Sequence, residues 1–144
     1  MKSFILILAF IITSCDFPKD AEGSWEKAVN DKLKVGVTSH PPFALIENDS
    51  AGGTEIDLLR DFASENQLEI EFIEGSETEL VKKLENYELH IVAGGFDKKT
   101  LWEKKAGLTH PYDQTHVFFI PKGENGLLEK LETFILQNQN RQAQ

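Results

Sequence analysis

Histidines, a paired glycine and a few well-placed aromatics are the side chains of this sequence with chemistry to offer. His40, His110 and His116 fall in loop-like stretches, with Asp97 and Asp113 nearby in sequence. Imidazole and carboxylate groups ligate zinc, but dispersed histidines without cysteine partners or tight helical spacing make no metal signature, so no metal is expected. His90 sits in a strand-like run and reads as packed or solvent-facing. The pattern holds no nucleophile elbow and no base with a partner to orient it, so the expectation is a non-enzyme. Gly94-Gly95 is not followed by the lysine of a phosphate loop, and no cofactor is expected.

Recognition of a small molecule is the chemistry that remains. Phe43 follows Pro41-Pro42, where its ring either stacks on a ligand or packs against its own loop. Trp102 is either a platform for an apolar or cationic group or a cover for the sheet edge. Tyr112 either donates its hydroxyl to a ligand or is satisfied at the edge of the core. Gly94 and Gly95 admit a close backbone approach, and Phe96 and Thr109 flank the same loops. Asp57 stands at a helix start, where an acid caps and meets the helix dipole; positioning a cleft is its second role. The candidate site is therefore Phe43, Asp57, Gly94, Gly95, Phe96, Trp102, Thr109 and Tyr112.

Alternating strand and helix signals must position these residues. Leu33, Val35 and Val37 make a short strand, and residues 40–43 form a loop because proline cannot donate to a ladder. After turn residues 48–53, Thr54 caps a helix carrying Ile56, Leu59, Phe62 and Ala63. Residues 68–72 alternate as a strand with one wet face, and Ser76 with Glu79 forms a capping box for a helix with Leu80, Leu84 and Tyr87. Residues 89–93 read as a buried strand ending in the two glycines. Thr100 with Glu103 caps a short helix, residues 107–112 run extended, and residues 117–120 form another strand. A final helix follows Asn125, with Leu127, Leu128, Leu131, Phe134 and Ile135 on one stripe. This order implies an α/β fold in three layers, a mostly parallel sheet with helices on both faces. Ligands of such sheets bind beyond the carboxyl ends of the strands. Those ends are residues 38–43, 94–97 and 109–112, so the loops with unusual chemistry converge on one rim.

The chain begins with Lys2 and an apolar run over residues 4–12, too short to span a bilayer and the length of a signal-peptide core. Ile12-Thr13-Ser14-Cys15 resembles the lipobox of bacterial lipoproteins, which implies cleavage after residue 14 and a lipid on Cys15. Cys15 is the one cysteine, so no intramolecular disulfide is available. The expected organisation is a signal peptide over residues 1–14, a tether over 15–31, one domain over 32–139 and a frayed tail over 140–144. The formal net charge of −9 argues against nucleic acid and against adsorption to anionic headgroups. Membrane attachment is expected through the lipid alone.

Four segments resemble the periplasmic solute-binding proteins of polar amino acid uptake systems. Residues 33–43, LKVGVTSHPPF, match an opening strand and its Pro-Pro-Phe lip; residues 53–58, GTEIDL, match the start of the first helix. Residues 89–95, LHIVAGG, match the strand ending at the ligand, and residues 108–112, LTHPY, match the segment entering the crossover to a second lobe. The resemblance implies one lobe of a periplasmic-binding-protein-like fold, a lip phenylalanine that stacks on ligand, and a small-molecule partner. Two departures accompany it. Only Asp113-Gln114-Thr115 separates LTHPY from HVFFIPKGEN, which resembles the family's returning strand, so the second lobe is missing. Where relatives carry Thr-x-x-Arg to grip a carboxylate, this chain has Lys99 and Trp102, or Thr100 and Glu103 after a one-residue shift. The expectation is a non-catalytic envelope lipoprotein recognising a small polar or aromatic solute weakly, with a second copy or another envelope protein completing the cleft. The alternative is a protein-interaction module that has lost its small-molecule site.

Overall fold

A strand that packs on a core needs apolar side chains on the packed face, and the first strand of the domain has them in Leu33, Val35 and Val37. The computed structural model describes residues 19–144, and β1 (Leu33–Val37) lies inside a five-stranded sheet. Around it are β4 (Ile70–Glu74), β5 (Ile91–Asp97), β6 (Gly107–Leu108) and β7 (His116–Ile120). The order across the sheet is β4-β1-β5-β7-β6. Strands β4, β1 and β5 are parallel, while β7 runs antiparallel to both its neighbours. The sheet is thus mixed and mostly parallel, an α/β architecture.

Alternation along the strands builds two separate cores. Ile91 and Ala93 of β5, with Phe118 and Ile120 of β7, face a core shared with α1 (Ser24–Asn30), α2 (Thr54–Glu65) and α4 (Asn125–Gln142). Val92 and Phe96, with Val117 and Phe119, face a smaller core under α3 (Glu77–Glu85) and a 3-10 turn, Leu101–Lys104. Helices therefore cover both faces, giving the expected three layers. Ser76 caps α3 by accepting the Glu79 N–H at 3.3 Å.

Several local expectations change. Residues 45–52 form a hairpin, β2 (Leu45–Glu47) with β3 (Ser50–Gly52), turned by Asn48 and Asp49 at φ 48° and 61°. Strand β5 does not stop at Ala93; it continues through both glycines to Asp97, with its register against β7 shifting between Val92 and Phe96. The tether is shorter than residues 15–31, because the chain folds onto the domain from Asp20. Asp20 accepts N–H groups from Trp25 at 2.6 Å and Leu127 at 3.0 Å, while buried Glu124 accepts those of Glu22 and Ser24, each at 2.8 Å. Each carboxylate thus satisfies otherwise orphaned helix-start donors. Nor is the tail frayed from residue 140: α4 runs to Gln142, and Arg141 meets Glu65 at 2.9 Å. The signal peptide and Cys15 lie outside the described residues. Among the described residues no helix is long and apolar enough to cross a membrane.

Candidate functional site

The lip that follows β1 is fastened to the start of α2. His40 and Ala44 close the loop through the His40 N–H to the Ala44 carbonyl at 2.7 Å. The Pro42 and Phe43 carbonyls accept the Thr54 and Glu55 N–H groups at 3.1 and 2.9 Å. These are orphan donors of the helix start, so the lip does the capping expected of Thr54, and the N-cap is Gly53. Gly53 adopts φ 113°, and a Cβ there would collide with the Phe43 carbonyl. Lip and helix start therefore form one rigid unit.

That unit aims Glu55 into the rim. Glu55 is fully buried. Its two oxygens accept the Gly95 N–H at 3.1 and 3.0 Å, and Oε1 accepts the Tyr112 hydroxyl at 2.6 Å. Burial raises its pKa above the ordinary carboxyl value, against the opposing hydrogen bonds of Tyr112, Gly95 and Gly94. Burial, reinforced by the Glu55 carboxylate, holds the Tyr112 hydroxyl far above its usual range, which makes it a poor nucleophile. Gly95 has φ 63°, and an added Cβ would lie 2.6 Å from the Phe43 ring and 2.8 Å from His40 Nδ1. Only glycine lets the strand pass this close beneath the lip.

Four rings complete the mouth. His116 lies against Phe43 with ring centroids 4.3 Å apart, and against Tyr112 at 6.1 Å and 21°. His40 meets Phe43 edge-on at 5.3 Å and donates Nδ1–H to the Gly94 carbonyl at 2.8 Å. Asp113 Oδ1 accepts the N–H groups of Thr115 and His116, and Oδ2 meets His116 Nδ1 at 2.7 Å. Partial burial works against the Asp113 charge, yet these bonds from His116 and Thr115 hold its pKa below the ordinary value.

Of the residues singled out in the sequence, Phe43, Gly94, Gly95 and Tyr112 come together here. The other four do not. Phe96 is buried and stacks on Phe119 at 4.0 Å in the smaller core. Thr109 is buried, and its hydroxyl accepts the Phe118 N–H at 3.0 Å. Trp102 packs on the α3 side and donates its indole N–H to Glu77 at 3.0 Å. Asp57 is exposed and pairs with Arg60 at 3.3 Å. Sequence reasoning missed Glu55, although it stands four residues before Leu59 on the stripe that α2 buries. An acid on an apolar stripe was the available signal. His40 and His116 join the rim as ring partners. Among the described residues, no three His, Cys, Asp or Glu side chains converge to hold a metal ion.

A three-layer α/β lobe with a half-exposed aromatic mouth beyond its strand ends has the architecture in which open sheets of this kind hold their ligands. The chain belongs to the bacterial extracellular solute-binding proteins, family 3, whose model matches residues 33–143. Among solved structures it is similar to the arginine-bound form of domain 1 from TmArgBP. The TM-score is 0.70 at 19 % identity, covering 78 % of this chain and 97 % of that one. It is also similar to an ancestral cationic amino acid solute-binding protein, with TM-score 0.74, 14 % identity, and coverage of 82 % and 94 %. An ancestral cyclohexadienyl dehydratase matches at TM-score 0.55 and 26 % identity over 62 % of this chain and 38 % of that one. No curated protein matches the chain.

Proposed function

We propose that this domain is a non-catalytic recognition module that takes a small polar or aromatic solute at the rim of Phe43, Gly95, Tyr112 and His116. The observation that carries this reading is that one buried carboxylate, Glu55, ties Gly95 to Tyr112 directly beneath the Phe43 lip, at the mouth where sheets of this kind bind ligands. Family membership supports a solute as the ligand and an extracytoplasmic setting. In this reading Cys15 carries a lipid that holds the domain to the cell envelope. A single lobe covers one side of a ligand, whereas typical sites bury roughly 70–90 % of it. Affinity is therefore weak until a second copy or another envelope protein closes over the rim. Sedimentation of the chain with and without candidate partners checks the last point; strict monomers throughout contradict it.

The function is tested by a thermal-shift screen of amino acids, polyamines, aromatic solutes and divalent metals. A specific stabilisation that Phe43→Ala abolishes is the expected result. A flat screen transfers the rim to the second reading, a protein-interaction module. That reading has its own support: Leu101 is 96 % exposed beside Trp102, and Glu55 is already engaged by Gly95 and Tyr112.

A further inference from the structure

We propose that His116 is a built-in occupant of the solute slot: its imidazole fills the space between the Phe43 and Tyr112 rings that a planar solute would otherwise take. Recognition at the rim then requires this side chain to leave. The inference rests on the rim being the solute site and adds what stands in it when no solute is bound.

Ring geometry is the first support. Phe43 and Tyr112 both lie against His116, at centroid distances of 4.3 and 6.1 Å, with the imidazole 41° from the Phe43 plane and 21° from the Tyr112 plane. Offset and tilted stacks at these separations are the arrangement aromatic groups prefer. A ring in that position makes against Phe43 and Tyr112 the contacts a bound planar ring would make.

The way His116 arrives is the second. Residues 113–115 are all that separate Tyr112 from β7, and the turn is built around one side chain. Asp113 accepts N–H groups from Thr115 at 2.8 Å and His116 at 2.7 Å, and its other oxygen holds the ring at Nδ1. The Tyr112 N–H donates to the His116 carbonyl at 3.0 Å, which fixes the two ring-bearing residues side by side. Pairing of His116 with Asp97 in the sheet sets the turn over the end of β5. The imidazole is thus delivered to the slot by a short, well-bonded arm.

The third support is that the fold does not depend on this ring. His116 belongs to neither apolar core, its side chain keeps 23 % exposure, and among the described residues its imidazole hydrogen-bonds only within its own turn, to Asp113 and the Thr115 hydroxyl. A side chain that fills a ligand position without supporting the core is free to move aside. The apparent affinity of any solute is then lowered by the fraction of time the slot is vacated. The occupant also names the ligand class: a planar ring or planar cation whose N–H can meet Asp113.

Chemical replacement tests this. His116→Gly in the full chain leaves a ring-sized gap, and free imidazole at fixed pH is the probe. A saturable rise in Tm of roughly 5 °C is expected when imidazole exceeds its dissociation constant tenfold. The wild-type chain should not respond. Nuclear Overhauser contacts from imidazole should fall on the Phe43 and Tyr112 rings. If glycine at the head of β7 unfolds the chain, His116→Ala serves with the same probe and the same expectation. Folded variants that ignore imidazole overturn the proposal. The two ideas fail separately. Imidazole binding to the variant, with no solute found for either form, keeps the plug and removes the solute function. A solute that binds wild type while His116 stays stacked on Phe43 removes the plug and keeps the function.

Discussion

Glu55 and Glu124 are both fully buried and both accept backbone N–H groups, yet they stand at opposite ends of the sheet and serve different ends. Glu124 lies beyond the carboxyl end of antiparallel β7, where it and Asp20 supply the missing partners of two helix starts. Every atom it meets belongs to folding. Glu55 lies beneath half-exposed rings carried on loops, and one of its partners, Tyr112, is itself part of the mouth. A second pair repeats the contrast. His90 is buried at the head of β5, where Nδ1 accepts the Lys34 N–H at 2.9 Å. His116, at the rim, is partly open, and among the described residues its ring hydrogen-bonds within its own turn. A buried polar side chain is therefore no sign of a binding site in itself; what marks the rim is loops, open rings and a carboxylate meeting at one place.

The largest expected effects come from the two glutamates. Glu124→Ala and Glu55→Ala each strand one buried and one part-buried donor, so each should lower unfolding stability by roughly 2–4 kcal/mol in urea titrations. Only Glu55→Ala should also abolish solute binding, and imidazole binding when combined with His116→Gly. Equal loss of binding in both would erase the distinction between the two ends.

The histidine contrast is read by pH. Burial, helped by Lys34 and Lys27, lowers the His90 pKa from an ordinary 6.5 to about 4. The unfolded chain therefore takes up a proton below pH 6.5 that the folded chain refuses. Stability is full above that value and falls as pH drops towards 4, by about 3 kcal/mol at most. Glu55 acts in the opposite sense, since its folded pKa is raised: its contribution is complete below the ordinary carboxyl value and is lost as pH rises through the folded one. Urea midpoints across pH 4–7 should rise with pH in wild type and turn over in His90→Asn. An unchanged slope in that variant would remove His90 as the cause.

Smaller effects sharpen the site itself. Phe43 is half-buried, so Phe43→Ala should cost roughly 1–2 kcal/mol while eliminating solute binding. Asp57→Ala breaks only an exposed pair with Arg60, and should change stability by less than about 0.5 kcal/mol and binding not at all.

How much of this was legible in the sequence depends on what each feature rests on. The lip, Gly94-Gly95 and the Pro-Tyr segment were legible because proline and glycine act locally and mark loop positions whatever packs around them. The three-layer order followed from periodicity. Helix α1 was only faintly visible, since its start is satisfied by Glu124, 100 residues away along the chain from Ser24. The hairpin escaped because three-residue strands carry no period. Phe96, Thr109 and Trp102 were assigned to the rim by neighbourhood in sequence, but strand alternation and the 3-10 turn direct Phe96 and Trp102 to the smaller core, and the Thr109 hydroxyl turns to the Phe118 N–H. The place of His116 beside Phe43 comes from pairing between β5 and β7, which no local pattern encodes.

The most direct test of the account follows backbone amides during a titration with a cocktail of small polar and aromatic solutes. Shifts confined to Phe43, Gly95, Tyr112 and His116, with Glu22 and Ser24 unmoved, are the predicted result. Shifts centred on the 3-10 turn around Leu101, on the α1 end, or nowhere at all would contradict it.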